Sequence, residues 1–284
     1  MISILAPTRI TLALDIIRKL DQGPFKGYHE LGIVKHQIDL SDILYIEKAS
    51  AMSLECENEM VPCDERNICW RAAELIKSRF GIGDSVRIII EKRIPVMGGL
   101  AGGSANAAAM LKALNQLWDL HLSKEQLSSL GRELGMDVPF FFTGHTAYDS
   151  ESTGILEPIP TDLQMHFVLA IPEFGVSTKD AYGALDYSKI GKNTNITRNL
   201  RAALEQNNIH DIDQYLHNDF EISVYSQYPR LREIRDKLLK AGCSGAVMSG
   251  SGSTILGVVP DKETAEKVAS TVDCRSIVTR TLGH

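Results

Sequence analysis

The chain reads as an α+β protein of two domains, and three observations predict it. Apolar patterns of strand and helix type are mixed in both halves. At 284 residues the chain exceeds the usual size of one hydrophobic core. A fresh strand-led region opens at "GILEPIPTDLQMHFVLAIP", which places a boundary near 150–156 and the domains at 1–155 and 156–284.

Taken in order, "ISILAPTRITLALDII" alternates and is β-branched, predicting strands on both sides of Pro7. Gly23, Pro24 and Gly27 mark a turn after it. "LGIVKHQIDL" and "DILYIEKA" read as two strands joined by a turn at Ser41-Asp42. In "NICWRAAELIKSRFG", Ile68, Ala72, Leu75, Ile76 and Phe80 fall near one face of a helix closed by Gly81. "SVRIIIEKRIP" is a strand that feeds into "VMGGLAGGS", and a helix rich in Ala and Leu starts near Ser104. Ser123 with Gln126 three residues on is a capping-box pattern that opens the next helix. Beyond 155, helices are predicted around 197–206 and 209–220, over "YPRLREIRDKLLKAG" and over "KETAEKVASTV". "GAVMSGSGSTILGVV" reads as strand–turn–strand, and "RSIVTRTL" is a last strand.

Composition narrows the function classes. The net charge is −6 and no Lys/Arg-rich run occurs, so the basic face needed by a nucleic-acid binder is missing. The five cysteines are odd in number and form no CxxC pair, which favours reduced thiols over a zinc ribbon or disulfide framework. The histidines show no HExxH or other paired metal spacing, and the metal ligands stay unassigned. No apolar run reaches bilayer length, and the N-terminus reads as a strand of the mature fold. A cytoplasmic protein without membrane or nucleic-acid partners is expected.

Three stretches carry candidate chemistry. Gly98, Gly99, Gly102 and Gly103 lie between a strand ending at Pro95 and the helix from Ser104. Glycine lets a ligand approach the main chain, and the helix behind aims unpaired N–H groups and a positive dipole end at it. Such a loop suits a di- or triphosphate, though a structural turn explains it equally. It matches neither a Walker loop nor GxGxxG. Gly250, Ser251 and Gly252 form a small-residue turn that is either a tight hairpin or part of a site, and Ile255 rules out a dinucleotide motif there. Asp137 sits in "LGMDVPFFFTG", where it caps a turn or short helix, or is held for proton transfer or charge pairing.

In order along the chain, "APTRITLAL", "GYHEL", "IPVMGGLAGGSANAAAMLKALNQLW", "LGMDVPFF" and "GAVMSGSGS" resemble the GHMP kinase superfamily. The resemblance spans nearly the whole chain and is nearest the branch with "GYHEL" and "DVPFF". It implies a two-domain α+β kinase with its active site in the interdomain cleft. The implied reaction is ATP-dependent, Mg²⁺-assisted phosphorylation of a hydroxyl of 4-diphosphocytidyl-2-C-methyl-D-erythritol, in the non-mevalonate isoprenoid route. ATP would be held by Pro95, Gly98, Gly99, Leu100, Ala101, Gly102, Gly103, Ser104 and Asn106, with Gly250, Ser251 and Gly252 supporting the loop. Asp137 would take the hydroxyl proton beside the cation of Arg9. Thr11, Tyr28, His29 and Tyr182 would contact the cytidylyl substrate, by aromatic stacking for Tyr28 and Tyr182. A monomer or homodimer is expected.

The chain departs from the family pattern at four places. Arg9 stands where the family has lysine; it keeps the charge but is planar, forked and never deprotonated. Thr11 replaces an asparagine, Ala101 a loop glycine and Ala105 a serine. Two alternatives follow: a different alcohol or sugar acceptor, or a nucleotide- or metabolite-binding chain that has lost catalysis.

Overall fold

The computed structural model describes residues 1–22, 26–151, 154–191 and 195–283, so Gly23 and Pro24 of the expected turn lie outside the described residues. The strands are β1 (Ile2–Lys19), β2 (His29–Ala49), β3 (Ser53–Cys56), β4 (Ser85–Glu91), β5 (Thr146–Glu151), β6 (Leu156–Pro158), β7 (His166–Ile171), β8 (His217–Asn218), β9 (Gly245–Met248), β10 (Ile255–Val259) and β11 (Arg275–Arg280). The helices are α1 (Ile68–Phe80), α2 (Gly102–Leu117), α3 (Lys124–Leu134), α4 (Phe140–Thr143), α5 (Thr178–Gly183), α6 (Asn195–Glu205), α7 (Ile209–Ile212), α8 (Phe220–Gln227), α9 (Pro229–Ala241) and α10 (Lys262–Ala269). Helix and sheet are mixed throughout, as the α+β reading expects. Among the described residues, no helix is long and apolar enough to cross a membrane.

Three expected elements differ. β1 runs unbroken through Pro7, because β8 pairs with β1 only at Ala13 and Leu14 and leaves no ladder on that side at Pro7. β2 likewise runs through Ser41-Asp42: Asp42 is a fully buried strand residue, not a turn. The helix expected over 209–220 is broken, since Asp213–Tyr215 is a 3₁₀ turn and His217–Asn218 must extend to pair with β1.

Contacts group the chain into two compact units whose segments alternate along the sequence. Residues 1–8, 40–96 and 101–144 form the first; residues 9–39, 97–100 and 145 onward form the second. The physical reason is the length of β1 and β2, each long enough to serve both units.

In the first unit, the later half of β2 pairs antiparallel with β4 (Ile43 with Glu91, Ala49 with Ser85), and β3 pairs parallel with β4. Leu44, Ile46 and Ile88 are fully buried there. α1 starts at an Asn67 cap, whose side chain accepts the Cys69 N–H, and ends at Gly81 in the left-handed conformation. Its buried Cys69, Ala72, Ala73 and Ile76 form one stripe, and α1 packs against α2. α3 carries the expected capping box, with Ser123 and Gln126 bonded reciprocally.

In the second unit, an antiparallel sheet has the order β11-β7-β10-β9, and its side chains Val168, Ala170 and Ile255 share a core with Leu238 of α9 and Val268 of α10. The earlier half of β2 pairs with β5, and β5 with β6. Lys35 is fully buried, bonded to Asp149 at 2.7 Å and Glu151 at 2.9 Å. His36 beside it is buried between the hydroxyls of Thr146 (2.8 Å) and Thr281 (2.9 Å). Burial pushes its imidazole down to about 3, so it is neutral near pH 7.

Candidate active site

The approach to the glycine stretch is pinned within the first unit. Asp42 accepts the backbone N–H groups of Arg93 (2.7 Å) and Ile94 (2.8 Å) and pairs with Lys92 at 2.8 Å. Lys92 also donates to the Ile94 carbonyl. Both charges are buried, so removing one would leave the other unpaired and release the chain that leads to Pro95.

α2 then begins at Gly102, two residues before the expected Ser104. Its N-cap is Ala101, a non-glycine residue at φ 53, which supplies no capping side chain. No acidic residue occupies the first turn. The leading N–H groups therefore lack a side-chain acceptor, and the helix dipole adds positive potential at the same place. Gly103 is exposed, and a Cβ there would meet only Ile68 Cγ2, at 3.9 Å. One turn in, Asn106 is buried and its Oδ1 has no hydrogen-bond partner. An uncapped helix start with open backbone suits an anion, and phosphate fits it.

The preceding residues, Met97–Leu100, belong to the second unit. Gly99 sits at φ 71, and a Cβ on it would lie 2.1 Å from the Ser249 carbonyl oxygen and 2.9 Å from that of Gly252. The Gly99 carbonyl accepts from Arg9 Nη1 at 2.9 Å and from Ser249 Oγ at 3.0 Å. Thr254 N–H donates to the Gly98 carbonyl at 3.3 Å, and Leu100 is buried. Arg9 is itself buried and donates to Thr11 Oγ1 at 3.1 Å, while Thr11 N–H donates to Ser249 Oγ at 3.1 Å. Gly250 and Gly252 both adopt positive φ, and Ser251 shares a hydrogen bond with Thr178. Six residues picked from sequence thus converge: Arg9, Thr11, Gly98, Gly99, Gly250 and Gly252. Ser249, the residue that joins them, was visible only as the first letter of "SGSGS".

Asp137 lies in the first unit, half-buried in the turn between α3 and α4. The residue at the N-cap position of α4 is Pro139, two residues beyond Asp137. Val138 holds the turn by packing on Gly131 of α3, where a Cβ would meet Val138 Cγ1 at 2.8 Å.

A separate aromatic cluster in the second unit gathers two more predicted residues. His29 stacks on Tyr182 with centroids 4.7 Å apart, and Phe220 meets the Tyr182 ring edge-on at 4.9 Å. His29 Nε2 shares a 2.7 Å hydrogen bond with the Tyr187 hydroxyl, a residue that sequence reasoning missed for want of any motif around it. Burial and then Lys19 hold the His29 imidazole below its ordinary range. Tyr28 is 57% exposed.

Asp15, His217 and Asp219 place three possible metal donors within 4.8 Å of one another. His217 Nε2 is hydrogen-bonded to Asp219 Oδ1 at 3.0 Å and stands at an ion-pair distance of 3.4 Å from Asp15 Oδ1. Burial opposes the charge on His217, but the Asp219 hydrogen bond and both carboxylates raise its basicity above the usual range. This closed, His-bridged group does not fit Mg²⁺, which keeps waters and phosphate oxygens around itself.

The uncapped start of α2 in the first unit suits an anion, and in the second unit the Gly98–Gly99 stretch is clasped by the buried Arg9 and the Ser249 hydroxyl. Residues 67–145 match the GHMP kinases N terminal domain and residues 200–277 the GHMP kinases C terminal domain, and the chain belongs to this family. Within the family it is similar to 4-diphosphocytidyl-2-C-methyl-D-erythritol kinases. It is 40% identical over 266 residues to that of Caldicellulosiruptor bescii, covering 93% of this chain and 91% of the relative. With that of Shouchella clausii the identity is 38% over 268 residues, 94% and 88% of the two chains. A solved 4-(cytidine 5'-diphospho)-2C-methyl-D-erythritol kinase superposes with a TM-score of 0.81 at 30% identity, covering 99% of this chain and all of the other.

Proposed function

We infer that the chain phosphorylates a hydroxyl of 4-diphosphocytidyl-2-C-methyl-D-erythritol, with ATP as phosphoryl donor. The observation that carries this is 40% identity across 93% of the chain to a kinase named for that substrate. ATP supplies the γ-phosphoryl group, and Mg²⁺ carried on its phosphates would neutralise part of their charge.

The chain's own residues have distinct tasks. The N–H groups at the start of α2 receive the phosphates, with Ser104 and Asn106 as the polar side chains on that turn. Arg9 acts as a fixed cation whose Nη1 is already held on the Gly99 carbonyl. On this reading the lysine-to-arginine departure is accommodated by an electrostatic role, in which no amine must lose a proton. Asp137 accepts the proton of the substrate hydroxyl, a contribution of roughly 10²–10⁴-fold in rate. His29 and Tyr182, already stacked, supply the aromatic surface for the cytosine ring, and Tyr28 offers a second, exposed ring.

The reading is tested by coupled ATP turnover with the cytidylyl substrate against a panel of alcohols and sugars. Expected are substrate-dependent ADP release, a preference for the cytidylyl compound, and loss in Asp137→Asn. ATP binding without transfer to any acceptor would overturn it.

A further inference from the structure

The Gly99 carbonyl receives the Ser249 hydroxyl beside Arg9 Nη1, and the segment His217–Glu221 holds the Ser249 turn from behind. The segment is fastened to β1, the strand that carries Arg9 and Thr11. His217 and Asn218 pair with Ala13 and Leu14, Asp219 N–H donates to the Leu14 carbonyl at 2.9 Å, and Asp219 Oδ2 accepts the Ile16 N–H at 2.7 Å.

From this base the carboxamide of Asn218, 2% exposed, reaches the turn. Its Nδ2 donates to the Met248 carbonyl and to the Gly250 carbonyl, both at 2.7 Å, and its Oδ1 accepts the Phe220 N–H at 3.0 Å. Glu221 Oε1 accepts the Met248 N–H at 2.7 Å. Three main-chain groups on either side of Ser249 are thus held by two side chains. Ser249 is left with its hydroxyl free to serve Gly99 and Thr11.

The chemistry at residue 218 is restrictive. Two donors on one nitrogen and an acceptor beside it, on a short stem, are what the site uses, and only asparagine has them at that length. Aspartate would set a carboxylate against two carbonyl oxygens; serine offers a single donor.

We propose that Asn218 is a positioning residue for the phosphate loop: it fixes the Ser249–Gly250 turn and, through Ser249, the Gly99 carbonyl on which Arg9 Nη1 rests. The proposal deepens the kinase reading and rests on it. Asn218 acts on the turn through two donated hydrogen bonds, whereas it reaches the His29–Tyr182 cluster only through the backbone N–H of Phe220, so nucleotide handling depends on it more than that cluster does.

The test measures ATP affinity by calorimetry without acceptor, cytidylyl-substrate affinity separately, and kcat and KM for each. Asn218→Ser, with one donor remaining, is expected to weaken ATP binding ~10-fold, and Asn218→Asp more, for the loss of two buried hydrogen bonds. Affinity for the cytidylyl substrate is expected to change by less than ~3-fold, the effect on the Tyr182 ring passing only through Phe220. The double-mutant cycle with Ser249→Ala is expected to be non-additive, because Asn218 holds the main chain on both sides of Ser249 and so reaches the Gly99 carbonyl through the Ser249 hydroxyl. Wild-type ATP affinity and kinetics in a folded Asn218→Ser protein would overturn the proposal. So would equal losses for both ligands, or full additivity with Ser249→Ala. Should Asn218→Asp fail to fold, Asn218→Ser and the cycle carry the decision alone. Wild-type protein that binds no ATP would sink the kinase reading and the proposal together, whereas ATP binding unchanged by both variants sinks the Asn218 role only.

Discussion

At Gly99 an added methyl group would meet the Ser249 carbonyl at 2.1 Å; at Gly103, four residues on, nothing lies nearer than Ile68 Cγ2 at 3.9 Å. Both are glycines of one short stretch, and sequence alone treats them alike. The first is glycine because backbone is packed on backbone within the second unit, with a left-handed φ besides. The second has room for a side chain and an ordinary φ, so folding does not require glycine there. What remains for Gly103 is the approach of a ligand to open N–H groups. On the proposed reading the glycine-rich stretch therefore mixes two demands, one made by the fold and one by the phosphate.

The largest effect is expected at Gly99→Ala. A blocked carbonyl contact plus left-handed strain should remove roughly 3 kcal/mol of stability. Misplacing the Gly99 carbonyl should lower kcat/KM for ATP ~100-fold. Thermal unfolding and coupled kinetics check both, and a stable, active variant would break the distinction at its strong end.

Acid acts next, on the unit that holds Gly99. His36 has its pKa lowered to about 3 by burial. Its neutral form is fully tolerated above the unfolded value of about 6.5, and stability is lost as pH falls from there toward 3. At pH 5 the loss is about 2 kcal/mol by linkage. Chemical denaturation from pH 7 to 4 should show this slope, and His36→Gln should flatten it.

Gly103→Ala should separate the two demands. Stability is expected to hold or rise by about 0.5 kcal/mol, as for glycine replaced within a helix. ATP affinity should nonetheless fall ~10-fold, because the methyl group stands on the backbone that the phosphate approaches. Unchanged nucleotide affinity in calorimetry would mean that phosphate does not use this turn.

The smallest change is Ala101→Gly. Ala101 holds a left-handed φ of 53, so glycine should relieve about 1 kcal/mol. The midpoint of unfolding should rise by about 2 °C.

Local signals were the legible part of this chain. Gly81 and the Ser123–Gln126 box mark helix ends through bonds made within a few residues, and both lie where sequence puts them. Pro7 and Ser41-Asp42 misled because their meaning is non-local. A proline is harmless where no neighbour strand needs its N–H, and Asp42 is a strand residue because Lys92, Arg93 and Ile94 surround its carboxylate. Within the site, motif order exposed Arg9, Gly99 and the "SGSGS" turn. Asn218, Asp42 and Tyr187 stayed hidden, since each acts on residues dozens to hundreds of positions away or lies outside any motif.

The interleaving of the two units has a consequence for how the protein is made. Residues 9–39 leave the ribosome early, yet Asp15, Ile16 and Thr11 find their partners at Thr197, Asp219 and Ser249. The second unit therefore closes over large sequence separations, a slow kind of contact to form, and only once most of the chain has been synthesised. A fragment ended at 155 would keep β5 on the earlier half of β2 but lose β8 and the Thr197, Asp219 and Ser249 partners of β1. Such a fragment is expected to aggregate on expression, and the second half supplied separately should restore it only by co-folding.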